Sequence, residues 1–309
     1  MWLTFSILGY AILAVVAIMD KFLLSQTRLS SALYTFYSTI FVLPIFFLLP
    51  LGVKWPASSL DWMVIIVSGF SFGLALWAMF IGFEQSEVSH LGPLIGATTP
   101  LFSLLLSRYF LGEILSARAL IACGFLMIGS LIVSFEQTQR HSGWHRGIWF
   151  GCLAGFLFAV SNVSAKYVYD DYGFFSGLIW TRGMIGVFGV LLLFYPAVYR
   201  GFFKKSLTLK IKDKLLFFRR SQNNLVLVGV DKILGMLGVL IIQYAIASGS
   251  VALVNALNGL QYAFLIIFVF LLSRFWPRVF KEDYAVWEIF QEILAVIIIF
   301  IGLILLVTV

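Results

Sequence analysis

The sequence predicts an all-α integral membrane protein: ten transmembrane helices arranged as two inverted five-helix repeats. Three observations predict it. Of the 309 residues, 61% are hydrophobic and 11% charged, with a mean hydropathy of +1.03; a soluble domain carries about 45–50% apolar and about 25% charged residues. Such a mixture cannot cover a water-facing surface. Charge-poor windows near the roughly 20 residues needed to cross the hydrocarbon layer recur along the whole chain. Finally, Ser107-Arg108-Tyr109-Phe110 at the end of one window returns as Ser273-Arg274-Phe275-Trp276, an offset of 166 (273 − 107).

The windows justify the helices in order. Residues 2–19 have no basic leader and run into Asp20-Lys21, the reverse of a cleaved signal peptide, so they form the first crossing. Further windows cover 29–53, 62–83, 88–107, 119–135 and 147–165, and another, 172–199, is interrupted only by Arg182. The stretch 233–273 is twice too long for one crossing. Ala247-Ser248-Gly249-Ser250 is the small, polar break in its middle, and the stretch divides there. Residues 289–309, with Glu292, close the count at ten. Links are short except the basic segment 200–222, expected to be a loop. Helices are the default because an open sheet leaves its edge groups unsatisfied in lipid. Cys123 and Cys152 lie inside apolar windows and read as packing residues.

The repeat extends past its polar ending. At an offset of 166, Trp77 falls on Gln243, Ile81 on Ala247, Val88 on Val254 and Pro93 on Gly259. Nearer the N-terminus the offset is 145, pairing Lys21 with Lys166, Phe22 with Tyr167 and Tyr37 with Arg182. Gly129 meets Gly302 at 173. These offsets divide the chain into 1–137 and 146–309, the second half carrying the long basic loop. Five helices per half is an odd number, so the second half enters the membrane in the opposite sense, an arrangement common among secondary transporters.

The first half carries Pro100-Leu101-Phe102-Ser103-Leu104-Leu105, then Leu111-Gly112-Glu113 and the Gly-containing apolar run 120–133. Upstream stand Ala78-Met79-Phe80-Ile81-Gly82 and Ser89. These motifs resemble an EamA-type half of the drug/metabolite transporter superfamily. Tyr244-Ala245-Ile246-Ala247 and 257–268 fit the second half, but its Gly-Glu is missing and Pro277-Arg278 stands near that place. The resemblance covers nearly the whole chain and implies the same ten-helix plan. It also implies a transporter of small organic solutes such as amino acids, sugar nucleotides or other metabolites, and leaves the solute unnamed.

Loops after odd-numbered helices hold fourteen Lys and Arg, and the opposite loops hold Lys54, Arg108 and Arg118. Basic loops face the cytoplasm, which places both termini outside. Most relatives of the type place them inside, so the two expectations disagree. The plasma, or inner, membrane is the expected site. The formal net charge of +7 lies mostly between apolar windows, where it sets topology and does not point to nucleic acid. In 200–220 the charges alternate with apolar residues. A solvated connector is favoured over a segment lying on anionic lipid, where each cation contributes roughly 1 kcal/mol.

Charged residues inside membrane helices cost at least about 2.5–3.5 kcal/mol at mid-helix and mark candidate sites. Asp20, Lys21, Lys166 and Asp231 are candidates for proton or ion coupling, against a reading as local ion pairs with snorkelling lysines. Asp231-Lys232 reads as deep in the eighth helix. Arg182 lies some eight residues into its helix and is a candidate to bind substrate or to clamp helices. Asn255, Asn258 and Gln261 follow at i, i+3 spacing and share one helix face, the best candidate lining. Tyr37, Trp77 and Gln243 complete the candidate substrate residues, against interhelical hydrogen bonds worth about 0.6 kcal/mol each. His90 reads as an end-of-helix residue, and Glu288 and Glu292 as interfacial pairing.

No phosphate-binding GxxxxGK[ST] and no HExxH zinc motif occurs. A primary pump therefore has no support, and neither a cofactor nor a metal is expected. The leading expectation is a secondary transporter, proton-coupled or exchanging, with a small molecule and the bilayer as partners; a homodimer stays open. A lipid or lipid-linked-sugar flippase is the alternative, and an intramembrane enzyme a weaker one.

Overall fold

The structure, a computed structural model, describes residues 1–26, 30–85, 88–134, 146–200, 211–275 and 286–308. The side chains of Asp20, Lys21, His90 and Glu288, part of the basic segment (201–210) and the region around Pro277-Arg278 lie outside that description. Ten helical spans are long and apolar enough to cross a membrane, and the described residues contain no strand. The protein is a multi-pass, all-α integral membrane protein.

Helix α1 (Trp2–Gln26) is followed by α2 (Ser31–Ile40). α2 ends where Leu43-Pro44 begins a tighter 3-10 stretch, Leu43–Leu51, because proline has no N–H to continue the α ladder. Together they make the second span. α3 (Ser59–Gln85) starts at a reciprocal cap: the Ser58 N–H and hydroxyl donate to Asp61 Oδ2 (2.9 and 2.7 Å), and the Asp61 N–H donates to Ser58 Oγ (3.1 Å). α4 (Val88–Leu106) keeps Pro93 and Pro100 within its length and runs into a π turn, Ser107–Leu111. Gly112, at φ 66°, then reverses the chain in a left-handed conformation that glycine adopts without steric cost. α5 (Ala117–Ser134), α6 (Arg146–Tyr172) and α7 (Phe174–Leu192) follow. Between α6 and α7 stands only Gly173, at φ 79°.

α8 (Ile211–Ser248) begins well inside the segment expected to be a loop. The expectation of a loop throughout 200–222 is therefore corrected from Ile211 onward. The stretch Ile211–Gln222 contains neither Gly nor Pro, and its Lys, Leu, Arg and Phe residues continue a helix readily. The ninth span is in two pieces, α9 (Val251–Ala256) and α10 (Asn258–Phe275), and α11 (Val286–Val307) makes the tenth.

Packing joins helices across the two halves. α3 lies on α6, α1 on α8, α2 on α7, and α5 on α11. The α5–α11 crossing is reciprocal. A Cβ on Gly129 would lie 2.5 Å from Ile299 and 3.1 Å from the Ala295 carbonyl; one on Gly302 would lie 3.0 Å from both Leu126 and the Ala122 carbonyl. Leu126 and Ile299, like Ala122 and Ala295, stand 173 apart, the offset that relates the two glycines. Each helix thus uses the same positions to hold the other, in antiparallel sense, as a local two-fold requires.

α3 and α6 are also joined by serines. Ser68 Oγ donates to the Ser161 carbonyl (3.0 Å), and Ser161 Oγ to that of Ser68 (2.7 Å). On the side holding both termini, Trp180 stacks with Trp55 and Trp62 at 4.9 and 5.0 Å between centroids, and its Nε1–H donates to the Lys54 carbonyl. Tryptophans with one apolar and one polar end mark a membrane–water boundary.

Candidate solute site between the halves

The interior is crossed by one run of buried polar side chains. Tyr169 OH donates to Gln243 Oε1 (2.8 Å), and Gln243 Nε2 to Asn162 Oδ1 (3.2 Å). Asn162 Nδ2 then donates to Asn255 Oδ1 (3.0 Å), and Asn255 Nδ2 to Ser103 Oγ (2.7 Å). All the donors point one way, so the bonds polarise one another. The run joins α6, α8, α9 and α4, and Ser103 brings in the first half. It starts three residues from the end of α6 and reaches Asn162, ten residues from that end, or about 15 Å into the span at 1.5 Å per residue.

Arg182 lies at a similar depth, eight residues into α7, and is only 4% exposed. Among the described residues, none of its three nitrogens has a hydrogen-bond partner. Its guanidinium carbon stands 4.8 Å from the centroid of the Phe72 ring, and Phe72 meets Phe158 of α6, one turn before Asn162. Close glycine contacts fix the roll of α7. Gly186 lies against the Leu43 backbone and Gly189 against Thr39, so Arg182 cannot swing away without separating α7 from the second span.

The three amides expected to line the cavity together are divided between two helical pieces, with Asn258 and Gln261 on the second. The chain breaks at Leu257: Asn255 belongs to α9, while Asn258 opens α10. Asn255 is buried in the polar run, Asn258 is half-buried, and Gln261 reaches across to the Leu13 carbonyl of α1 (3.4 Å). The i, i+3 relation holds between Asn258 and Gln261 within α10, and the break at Leu257 interrupts it before Asn255. Tyr37 and Trp77 fall elsewhere, packed on the cluster of Leu33, Phe36, Phe188 and Leu192; Trp77 also meets Tyr195.

The other charges lie toward the two ends. Lys166 Nζ contacts Asp170 (2.9 Å) and donates to the Ala247 carbonyl at the end of α8 (3.1 Å). Asp231 is fully buried beside Lys232 Nζ (3.0 Å), which also reaches Tyr34 OH (3.2 Å). Asp231 stands seventeen residues, about 25 Å, before the end of α8 at Ser248, toward the far side of a layer roughly 30 Å thick.

The Leu-Gly-Glu motif has a structural role. Glu113 accepts from Ser250 Oγ (2.8 Å) and from the Val251 N–H (3.2 Å), placing a carboxylate at the N-terminus of α9, where free N–H groups favour negative charge. Sequence reasoning missed Asn162, Tyr169 and Ser103. Asn162 alone gave a signal, as the one amide in the sixth window.

Comparison with known proteins agrees with this architecture. The model of the EamA-like transporter family matches residues 1–135. No curated protein matches the chain. A protein known from its crystal structure superposes with a TM-score of 0.64 at 15% identity, covering 98% of this chain and 94% of that one; at that identity the likeness concerns the fold alone. The first 135 residues are thus similar to the EamA-like transporter family, and the ten apolar spans of the whole chain accord with that likeness.

Proposed function

We propose that the protein is a secondary active transporter that moves a small organic solute, of the amino acid, sugar nucleotide or similar metabolite class, by alternating access. Its halves are 1–137 and 146–309, related as an inverted repeat, and the solute binds between them near the bilayer midplane. The observation that carries this reading is the buried polar run from Tyr169 to Ser103, with both halves contributing. Polar side chains inside a lipid-embedded bundle face its interior and line pathways. The reciprocal α5–α11 crossing supports the two-fold relation. Asp231–Lys232 and Lys166–Asp170 stand toward opposite ends of the spans, where ion pairs can form and part as access alternates. Coupling to protons or to exchange, residence in the plasma membrane, external termini and a homodimer belong to the same proposal.

The test is reconstitution in liposomes with labelled metabolites, with and without an imposed proton gradient. Uptake that saturates, and that is quickened by the gradient or by trapped unlabelled solute, is expected. A second reading, a lipid or lipid-linked-sugar flippase, is favoured by an apolar crevice of about 310 Å³ between α4 and α5. Leu101 and Ile128 on its rim are exposed, so an acyl chain could enter from the side. Transfer of a labelled lipid between leaflets, without solute uptake, would select that reading.

A further inference from the structure

The geometry points to an anionic solute: we propose that Arg182 receives a carboxylate or phosphate group of the transported molecule. This rests on the transporter reading and adds the chemical class of its substrate.

Of the five cations within the spans whose side chains are described, Arg108 and Arg118 are exposed near span ends, and the other three differ in one respect. Lys166 has Asp170 and the Ala247 carbonyl, and Lys232 has Asp231 and Tyr34. Arg182 has no acceptor among the described residues, although it is the most buried of the three. A lysine in such a place can lose its proton, but an arginine stays charged in proteins. The charge therefore persists in a medium that disfavours it. Phe72 covers one face of the guanidinium and supplies no acceptor in its plane. The in-plane N–H groups remain, a fork that matches carboxylate and phosphate oxygens two at a time.

A structural clamp would hold hydrogen-bond acceptors in the resting protein, and among the described residues Arg182 holds none. Its neighbours argue against withdrawal as well. Leu178, one turn earlier on the same face, packs in the central core with Ile242 and Ile246. One turn later, Gly186 lies against the Leu43 backbone and holds α7 to the second span. The cation is thus held facing inward at the depth of Asn162, while the amides of the polar run already satisfy one another. The missing partner is supplied by the solute.

The experiment uses purified full-length protein and four probes at fixed ionic strength and chloride: succinate, glucose 6-phosphate, glucose and putrescine. Only the two anions are expected to raise the melting temperature. Arg182→Met, which keeps the aliphatic stem, is expected to weaken that binding by about ten- to a hundredfold. It is also expected to melt higher than the parent without ligand, since an unpaired buried charge is gone. Arg182→Lys should retain part of the anion response. A ligand-free R182M that melts lower or fails to fold overturns the proposal, because Arg182 would then be a clamp. Stabilisation or uptake of glucose or putrescine, unchanged in R182M, overturns the anionic class and leaves the transporter intact. If none of the four probes binds and no metabolite class enters liposomes, the transporter reading falls with it.

Discussion

Gly155 on α6 and Tyr10 on α1, matched by the proposed repeat at an offset of 145 (155 − 10), hold their neighbours differently. At Gly155 the helices touch backbone to backbone: a Cβ would lie 2.1 Å from Thr98 Oγ1 and 3.1 Å from the Thr99 nitrogen of α4. At Tyr10 the gap is filled by a ring, whose hydroxyl donates to the Val254 carbonyl of α9 (2.9 Å). α4 is continuous through two prolines, whereas its counterpart breaks at Leu257. The residue at each crossing decides how near the helices come. One crossing is interlocked; the other is a reach across to a broken helix.

The interlocked crossing gives the largest expected effect. Gly155→Leu forces a branched side chain into Thr98 and the α4 backbone, and overpacking of this kind costs about 3 kcal/mol. Chemical unfolding in detergent measures it. Gly124→Ala is the control, since a Cβ there meets nothing within 4 Å. Equal stability of the two variants would remove the distinction between the crossings.

The polar run comes next. Asn255→Ala leaves Asn162 Nδ2 without its acceptor and Ser103 Oγ without its donor, and buried groups left unpaired cost about 1–3 kcal/mol. Ser103→Ala removes only the end of the run and is expected to cost about 0.6 kcal/mol. A double-mutant cycle between the two isolates their coupling. Additive losses would mean that the run is a set of separate contacts.

Much of this was legible in the sequence, and the rest failed for physical reasons. Hydropathy windows located the ten spans because lipid demands length and apolarity from each span separately. The break at Ser248–Ser250 was visible because small polar residues stand there, and α8 stops at Ser248. The break at Leu257 was passed over, although Asn258-Gly259 just after it is a turn dipeptide, because the apolar residues on either side carry the helical pattern through it. Arg182 stood out because a charge in an apolar window is rare. That its neighbours offer it no acceptor is a property of three helices together. Asn162 and Tyr169 escaped because partners 74 to 93 residues away leave no local pattern.

The two glycines of the α5–α11 crossing test the repeat itself. Gly129→Ala meets Ile299 and Gly302→Ala meets Leu126, each beside a carbonyl at 3.1 or 3.0 Å. Each is expected to cost about 1–2 kcal/mol. Because the contacts are reciprocal, the two losses should be alike, and together they should fall short of additive, since one outward shift of the helices relieves both. Unequal losses that simply add would show that the two-fold ends at the backbone.

The smallest effect falls on the looser crossing. Tyr10→Phe keeps the ring that fills the gap between α1 and α9 and removes only the bond to the Val254 carbonyl. Inside lipid such a bond is worth about 0.6 kcal/mol on average and up to about 1.7. Val254 sits in the last turn and a half of α9, and in a six-residue helix its carbonyl has no N–H four residues on within the same helix. Tyr10 supplies what the break removes, so the loss should lie in the upper part of that range. Hydrogen exchange at Leu257, Asn258 and Gly259 should quicken along with it, as the broken end of α9 loses its one tie to α1 at this level. A loss confined to global stability, with exchange there unchanged, would make Tyr10 a space-filler and return the second crossing to the same class as the first.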